Sequence, residues 1–434
     1  MKKTLFSALA LLFCGALAAA RLDIVPTEFR SYKVGEPVTF TVTALDDQKQ
    51  KMTEGTVTIA VRDSGTNGKK IIDDVVIDFA KTNPVTFTAK LDRPGFILAV
   101  PSPGKTADGK EIRWENRPLP SLGGAAVEPE KILPGAECPA DFDEFWRKSL
   151  EEFKNAEVTL SDAPAQKRDG YKVSRITVKF PDGSGAVDGF LSIPDKPGKY
   201  PAIAGVPGAG PGTVRSTGHI SIGKPAIELW LNVHNFPTAD TAEEQKRRAF
   251  EYRKKFLNNT GYWLYQAENR DQYIYRKVWP ALSRAIDHIA ALPEFDGRHF
   301  AVSGHSQGGG TALAVGSLNP HITCILASVP ALCDHGGWKF DRQAGWPQLH
   351  VALKGKADAA SGYFDAANFA SRIKVPTVVS AGYVDTTCSP SSVYAAFNQI
   401  KADKTMVELY RAGHTLTPDF RKAAQQLLEK EFSK

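Results

Sequence analysis

The first part of the chain, residues 21–125, alternates hydrophobic and polar positions with a period of two. The alternation is strict over residues 38–43, 57–61 and 85–88, where valine, threonine, isoleucine and phenylalanine dominate. This pattern is typical of half-buried strands, and clusters of Gly, Pro, Asn and Asp between them predict turns. We therefore predict a small all-β unit over residues 21–125, an immunoglobulin-like sandwich. The pattern favours a packing or spacer role for it over carbohydrate binding.

A change of period follows a stretch rich in proline and glycine, residues 118–124, which predicts a linker. Beyond it, large apolar residues recur at helical spacing, with Asp141 in front of them as the predicted N-cap. They are Phe142, Phe145, Trp146, Leu150 and Phe153. The spacing predicts that a helix opens the second unit of the chain.

Predicted strands and helices alternate through the rest of the chain. One helical face over residues 278–292 precedes the short apolar run at 300–303. Further predicted strands lie at 201–206, 375–380 and 406–410. This alternation is typical of an α/β domain with a mostly parallel, doubly wound sheet covered by helices on both faces. We predict such a domain over residues 126–434.

Candidate chemistry begins at Gly304-His305-Ser306-Gln307-Gly308, between a predicted strand and a helix of small residues. A G-x-S-x-G sequence in this context is typical of a nucleophile elbow, the sharp turn that lifts a serine hydroxyl out of an α/β-hydrolase sheet. The flanking glycines suit the strained backbone that such a turn needs. The motif predicts an α/β-hydrolase with Ser306 as its nucleophile.

A serine hydroxyl needs a general base, and the base needs an acid that orients it. In α/β-hydrolases these follow in the order Ser, Asp/Glu, His, each after a strand. Asp385 follows the predicted strand at 375–380, and His414 follows the one at 406–410. We predict a triad of Ser306, Asp385 and His414.

Other acids and histidines compete less well for these positions. Asp334 and Asp365 precede the expected acid strand. His305 adjoins the nucleophile and is predicted to pack away from it, while His335 and His350 could line a pocket.

The oxyanion of a tetrahedral intermediate needs backbone donors. One predicted donor is the N–H of Gln307, the residue after the nucleophile. The other should come from the loop at residues 207–212, where Pro207 and Pro211 lack an N–H. Ala209 is the predicted donor between its two glycine neighbours, and the alternative is that the loop is a plain turn.

Length, composition and charge indicate how many domains the chain can form and which partners are unexpected. At 434 residues, with 42% hydrophobic and 24% charged residues, the chain is long enough for two domains. The net charge of +6 at pH 7 comes without a long Lys/Arg run, which speaks against a nucleic-acid partner.

The N-terminus has the three parts of a secretory signal. Lys2 and Lys3 precede an apolar stretch at residues 5–17, and three alanines follow at 18–20. The stretch is short for a membrane span, so no stable membrane insertion is expected. We predict a signal peptide over residues 1–20 and a periplasmic or secreted protein.

Four cysteines remain beyond the predicted cleavage point: Cys138, Cys324, Cys333 and Cys388. In an exported protein they permit disulfides, and the sequence leaves the pairing open. C-x-x-C and H-E-x-x-H motifs are missing from the sequence, so no metal site is predicted.

The residues from about 139 to 414 resemble the acetyl xylan esterase/cephalosporin C deacetylase family of carbohydrate esterases. The segments that carry the resemblance are 141–146, 189–194, 273–276, 304–310, 330–334, 363–370 and 382–390. The resemblance implies an α/β-hydrolase that removes acetyl groups from sugar hydroxyls without a cofactor, using Ser306, Asp385 and His414. It also implies that Cys333 and Cys388 are buried thiols. The chain departs from the family at 231–235, where Leu-Asn-Val-His-Asn stands in place of an Arg-Gly-Gln motif.

The hypothesis is a secreted serine esterase that deacetylates carbohydrate such as xylan- or other plant-polysaccharide-derived oligosaccharides. Trp338, Trp346 and Tyr363 could line a sugar or acyl pocket, with core packing as the alternative. The fold alone also permits a peptidase or a general short-chain carboxylesterase, and a non-catalytic carbohydrate-binding protein is a third alternative. The oligomeric state stays open.

Overall fold

The structure, a computed structural model, describes residues 20–115, 120–210, 218, 220–232, 234–235 and 238–433. The predicted signal peptide up to residue 19, and residues 118 and 119 of the expected linker, lie outside these ranges. Within them, no helix combines the length and the apolar character needed to cross a bilayer.

The first unit consists of strands that form two sheets. The strands are β1 (Arg21–Pro26), β2 (Ser31–Tyr32), β3 (Val38–Leu45), β4 (Thr56–Asp63), β5 (Val75–Asp78), β6 (Val85–Ala89), β7 (Gly95–Pro101), β8 (Gly104–Lys105), β9 (Glu111–Ile112) and β10 (Gly123–Val127). One sheet has the order β1-β3-β6, and the other β2-β10-β7-β4-β8-β9 with β5 paired to β4. Side chains from both sheets, such as Phe40 of β3 and Ile59 of β4, share one apolar cluster. The alternating segments therefore form a sandwich, as their period predicts.

The linker prediction is wrong at Gly123 and Gly124, which belong to β10. This strand pairs with β7 and β2 and straddles the predicted boundary after residue 125. A Cβ at Gly123 would lie 2.4 Å from Cγ2 of Ile24, and one at Gly124 would lie 2.6 Å from the carbonyl oxygen of Tyr383. The glycines here allow close packing on both sides of a strand rather than a flexible connection.

The second unit is built on one large sheet. Its strands are β11 (Val158–Asp162), β12 (Tyr171–Lys179), β13 (Ala186–Pro194), β14 (Tyr200–Val206), β15 (Ile227–Leu231), β16 (Phe295–His305), β17 (Cys324–Ser328), β18 (Thr377–Gly382) and β19 (Lys404–Leu409). Its helices are α1 (Phe142–Phe153), α2 (Ala242–Phe256), α3 (Tyr275–Ala290), α4 (Gln307–Leu318), α5 (Leu349–Ala352), α6 (Asp358–Ser361), α7 (Ala366–Ala370), α8 (Pro390–Phe397) and α9 (Pro418–Phe432).

The strand order in this sheet is β11-β12-β13-β15-β14-β16-β17-β18-β19. The ladders from β15 to β19 are parallel, and β11 to β13 add an antiparallel edge. Successive residues of one strand enter different apolar clusters, Ala301 on the face covered by α9 and Val302 on the opposite face. The mostly parallel sheet with helices on both faces, preceded by an all-β unit, is thus confirmed.

The N-cap prediction for α1 is confirmed in position but not in its capping bond. Asp141 occupies the N-cap position, but its carboxylate does not bond to the helix backbone. It accepts hydrogen bonds from Arg270, at 2.8 Å, and from the hydroxyl of Tyr363. Charge-assisted partners brought by the tertiary fold outcompete the local cap.

The two units meet through apolar and polar contacts. Phe96 of β7 lies with its ring centroid 5.0 Å from that of Tyr383 and 5.5 Å from that of Tyr394. It belongs to the same apolar cluster as the core of the large sheet. Arg411, which follows β19, bonds to Asp23 of β1 at 2.8 Å. The sandwich therefore packs directly on the end of the sheet from which the loops after β18 and β19 emerge.

Candidate active site

Ser306 stands between β16 and α4 with φ 59° and ψ −121°. A non-glycine residue held in such a region stores about 1–3 kcal/mol, which the surrounding structure must sustain. A Cβ at Gly304 would lie 2.0 Å from the carbonyl oxygen of Gly308, and one at Gly308 would lie 2.2 Å from that of Val206. Only glycine fits at either position, so the glycines of the motif allow strand, turn and helix to close around the serine.

Ser306, His414 and Asp385 are joined by a chain of hydrogen bonds. His414 Nε2 lies 2.8 Å from Ser306 Oγ, and His414 Nδ1 lies 2.8 Å from Asp385 Oδ2. The other carboxylate oxygen of Asp385 accepts from the backbone N–H groups of Thr387 (2.8 Å) and Cys388 (2.9 Å). Asp385 is 1% exposed. These three contacts hold the carboxylate in one orientation toward the histidine.

This arrangement can activate the serine. With its proton on Nδ1, the imidazole donates to Asp385 and accepts the Ser306 hydroxyl proton at Nε2. A fixed carboxylate selects that tautomer and stabilises the imidazolium that forms when the proton moves.

The competing acids have structural partners. Asp334 forms a buried ion pair with Arg342 at 2.8 Å. Asp365 accepts the backbone N–H groups of Asp334, His335 and Ala367. Both carboxylates therefore hold the segment before β18 together.

The competing histidines are either buried as neutral rings or bonded to other side chains. Burial lowers the pKa of His335 to about 4, so it is neutral at physiological pH. His350 bonds to Asp358 at 2.8 Å. His305 Nδ1 lies 3.3 Å from Ser328 Oγ, beneath the elbow, and its ring centroid is 5.2 Å from that of His414.

The two predicted oxyanion donors differ in their position relative to the nucleophile: Gln307 directly follows Ser306, and Ala209 lies in a neighbouring loop. Gln307 is buried and begins α4, where backbone N–H groups point out of the helix start. A Cβ at Gly208 would lie 3.6 Å from Cβ of Ser306, so the loop after β14 runs beside the nucleophile. Ala209 is exposed in that loop. Residues 211–217, including Pro211, lie outside the described residues, and the role of Ala209 stays a prediction.

Tyr262 connects the two segments that contain the predicted oxyanion donors, and sequence reasoning missed it. Its hydroxyl donates to Gln307 Oε1 at 2.8 Å and accepts from the backbone N–H of Gly210 at 3.3 Å. Burial raises the pKa of Tyr262, so the hydroxyl stays protonated across the neutral range. Burial also lowers the pKa of the neighbouring His234 to about 3. No motif marks Tyr262; only the tertiary fold brings it to the site.

Hydrogen bonds of Gln343 join the loop that contains Asp385 to the sandwich. The buried side chain of Gln343 donates to the carbonyl oxygen of Thr386 at 2.9 Å. Its Oε1 accepts from the hydroxyl of Thr66 at 3.2 Å and from the N–H of Asn67 at 3.4 Å. The residue next to Asp385 is thereby tied to the turn after β4.

The three predicted pocket aromatics have three different partners. The ring of Trp338 stacks on that of His350 with centroids 3.7 Å apart. Trp346 packs on Trp263 at 5.5 Å. Tyr363, buried, lies 4.8 Å from Phe145 and bonds to Asp141, so it packs α1 onto the domain.

Two cavities reach His414. One, of about 850 Å³, is lined by Pro120 and residues 408–419. The other, of about 620 Å³, lies between the two units and is lined by Thr66, Trp114 and Thr386 among others. His414 therefore has open space on its solvent side.

The described cysteines are free thiols, with Cys138 exposed and Cys324, Cys333 and Cys388 buried. Burial raises the pKa of Cys388 well above its ordinary value. In the described part of the chain, no three His, Cys, Asp or Glu side chains are grouped so that they could hold a metal ion.

Comparison with known proteins bears on this site. The model of the acetyl xylan esterase (AXE1) family matches residues 130–431, which include all three residues of the hydrogen-bonded chain and leave out the sandwich. Acetyl esterase Axe7A of Xylanibacter ruminicola is 33% identical over 285 residues, which are 64% of this chain and 63% of that protein. The match thus spans a little under two thirds of the length of this relative.

Two solved structures share the fold. Acetyl xylan esterase 1 from Thermoanaerobacterium sp. JW/SL YS485 superposes with a TM-score of 0.56 at 20% identity, covering 70% of this chain and 98% of that one. Acetyl xylan esterase from Paenibacillus sp. R4 gives a TM-score of 0.57 at 20% identity with the same coverage. The α/β-hydrolase prediction and the family resemblance are both confirmed. Since the family model covers well over half of the sequence, this chain belongs to the acetyl xylan esterase family of carboxylic ester hydrolases.

Proposed function

We propose that the protein is a serine esterase that removes acetyl groups from carbohydrate. The observation that carries the proposal is the hydrogen-bonded chain from Ser306 through His414 to Asp385, set on a nucleophile elbow in a member of this family. Serine, base and oriented acid are the three groups that acyl transfer at neutral pH requires.

In the first half-reaction Ser306 Oγ attacks the acetyl carbonyl carbon while His414 takes the serine proton. The C–O bond to the sugar then breaks, and His414 gives that proton to the departing sugar oxygen. In the second half-reaction His414 takes a proton from water, which attacks the acetyl-enzyme, and returns it to Ser306 as acetate leaves. Asp385 stabilises the imidazolium in both halves.

The oxyanion of each tetrahedral intermediate is held, in this proposal, by the N–H groups of Gln307 and Ala209. Preorganised donors of this kind are worth about 10²–10³ in kcat each. The hydroxyl of Tyr262 supports the arrangement because it touches both the side chain of Gln307 and the loop that contains Ala209.

The substrate class is proposed to be acetylated xylan or oligosaccharides from another plant polysaccharide. Relatives named for xylan or acetyl esters support this class. The sequence of residues 1–20 supports export to the periplasm or the medium.

The test is acetate release by the purified mature protein, with Ser306→Ala beside it. Substrates are p-nitrophenyl acetate, longer p-nitrophenyl esters, acetylated xylan and acetylated pectin. Ser317→Ala is the matched control, since Ser317 lies in α4 and its hydroxyl donates to the helix carbonyl of Ala314.

We expect activity confined to short acyl chains, lost in Ser306→Ala and retained in Ser317→Ala. Cleavage of p-nitrophenyl acetate without acetate release from acetylated xylan or acetylated pectin would favour a general short-chain carboxylesterase. Activity unchanged in Ser306→Ala, or no ester cleaved at all, would overturn the proposal.

A further inference from the structure

The cavity of about 620 Å³ beside His414 has two walls of different origin. Val384, Thr386 and His414 come from the loops after β18 and β19 of the catalytic unit. Thr66 and Trp114 come from the sandwich, which the family model does not cover. The sandwich therefore forms part of the surface that approaches the candidate triad.

The position of His414 determines which part of a substrate lies in this cavity. His414 must pass its proton to the leaving oxygen, so the leaving sugar has to lie within hydrogen-bond reach of Nε2. The side chain of His414 is 25% exposed, whereas Ser306 is 7% exposed. The acetyl group is small and sits at the buried serine, whereas the sugar and its neighbours extend past the exposed histidine.

Trp114 offers a rigid aromatic surface in this cavity. Its Nε1 donates to the carbonyl oxygen of Ser102 at 2.8 Å, which fixes the plane of the ring. Gly104 packs closely against the indole, since a Cβ there would lie 2.5 Å from Cζ2, and the ring of Phe79 lies nearly perpendicular to it with its centroid 6.4 Å away. Trp114 remains partly exposed toward the cavity. An aromatic ring with a fixed orientation suits the apolar C–H face of a sugar.

Polar groups flank this ring. Arg113 and Glu111 line the same cavity and pair with each other at 2.9 Å, with side chains 78% and 54% exposed. Thr66 adds a hydroxyl that is fixed by its bond to Gln343. Ring hydroxyls of a carbohydrate need donors and acceptors at the edges of a stacking surface, and this set provides both.

We propose that the sandwich supplies a leaving-group subsite in which Trp114 stacks on a sugar unit next to the acetylated one and Arg113 bonds to its hydroxyls. The subsite rests on the proposed deacetylase function. It makes the sandwich a determinant of substrate length, beyond a role in packing.

The experiment compares kcat/KM on acetylated xylo-oligosaccharides of increasing length with kcat/KM on p-nitrophenyl acetate, which has no neighbouring sugar. The variants are Trp114→Ala, Trp114→Tyr and Arg113→Ala. Lys110→Ala is the matched control, because Lys110 is 77% exposed, pairs with Asp108 at 2.7 Å in the same hairpin and does not line the cavity.

For Trp114→Ala we expect the ratio of oligosaccharide to p-nitrophenyl acetate kcat/KM to fall about tenfold, the order expected for one lost aromatic contact. The loss should grow with chain length, and Trp114→Tyr should recover most of it. Arg113→Ala should lower the ratio about threefold, mainly through KM, and Lys110→Ala should leave it at the wild-type value.

Because Trp114 also packs on the sandwich core, Trp114→Ala could fail to fold; Arg113→Ala then tests the subsite on its own. An unchanged ratio in Arg113→Ala together with an unchanged ratio, or no folded protein, in Trp114→Ala would overturn the subsite. That result leaves the deacetylase function intact so long as Ser306→Ala abolishes activity in the same assays.

Discussion

Tyr262 joins the two segments that contain the proposed oxyanion donors, and these hydrogen bonds lead to a specific prediction. Replacing Tyr262 with phenylalanine removes a single oxygen atom and keeps the buried ring. Gln307 Oε1 then loses a donor at 2.8 Å, and the N–H of Gly210 loses an acceptor at 3.3 Å. The variant therefore loosens the positioning of the proposed oxyanion donors without touching Ser306, His414 or Asp385.

The size of the effect follows from the two lost bonds. A neutral hydrogen bond in a protein contributes about 1 kcal/mol net, so the pair amounts to about 2 kcal/mol. If the whole of this is expressed in the transition state, kcat falls about 30-fold, since about 1.4 kcal/mol corresponds to a factor of ten. We expect a decrease in kcat of about 10- to 30-fold, with KM within about threefold of wild type, because the donors act on charge that develops after binding.

The assay is steady-state hydrolysis of p-nitrophenyl acetate between pH 6 and 9. Burial raises the pKa of Tyr262, so its hydroxyl is protonated throughout and the loss should be independent of pH. Tyr252→Phe is the matched control, because Tyr252 bonds to Asn235 at 2.6 Å in the same region but is not bonded to Gln307. A kcat for Tyr262→Phe within twofold of wild type, or an equal loss in Tyr252→Phe, would refute the reasoning.

Three further predictions concern the rest of the site and its support. Asp385→Asn should lower kcat by about 10³–10⁴ by upsetting the tautomer of His414, while the melting temperature shifts little; retention of a tenth of the activity would contradict this role. Gln343→Ala should destabilise the fold by about 2 kcal/mol in urea unfolding, because it removes the bonds of the buried Gln343 side chain to Thr386 and Thr66. Asn67→Ala, at the exposed side of the same turn, should cost less than half as much. The pKa of His335 is about 4 in the fold against about 6.5 when unfolded, so its contribution to stability is complete above pH 6.5 and is lost as the pH falls toward 4. Between pH 7 and pH 5 the loss is about 2 kcal/mol from this residue, and His335→Leu should lose that much less; equal pH dependence in both proteins would count against the burial of a neutral imidazole.

The sequence predicted most reliably what local patterns determine. Alternation in residues 38–43 or 57–61 reports a half-buried strand, because side chains of a strand point to opposite faces. The elbow could be found because strand, glycines and helix are consecutive in the chain. The order Ser306, Asp385, His414 then follows from where strands end, and His414 does lie within hydrogen-bond distance of both Ser306 and Asp385.

Features set by distant parts of the chain were missed or misjudged. Asp141 is at a cap position, but Arg270, which lies 129 residues further along, provides a stronger partner. Gly123 and Gly124 look like a flexible stretch, yet the side chain of Ile24 on one side and the backbone of Tyr383 on the other leave no room for a Cβ. Tyr262 and Gln343 each bond to residues at least 43 positions away in the chain. No spacing rule for a single sequence predicts such contacts.

The position of Phe96 also bears on how this architecture can change over evolution. A domain that recombination shuffles between proteins usually meets its neighbour through an exposed connection and a polar surface. Here an aromatic ring of the sandwich belongs to the same apolar cluster as the core of the catalytic unit and touches Tyr383 and Tyr394. A foreign sandwich inserted by recombination would leave a void or a clash at these rings unless it brought a matching side chain. The two units are therefore expected to diverge together, with changes at position 96 accompanied by changes at 383 and 394 in relatives that keep both.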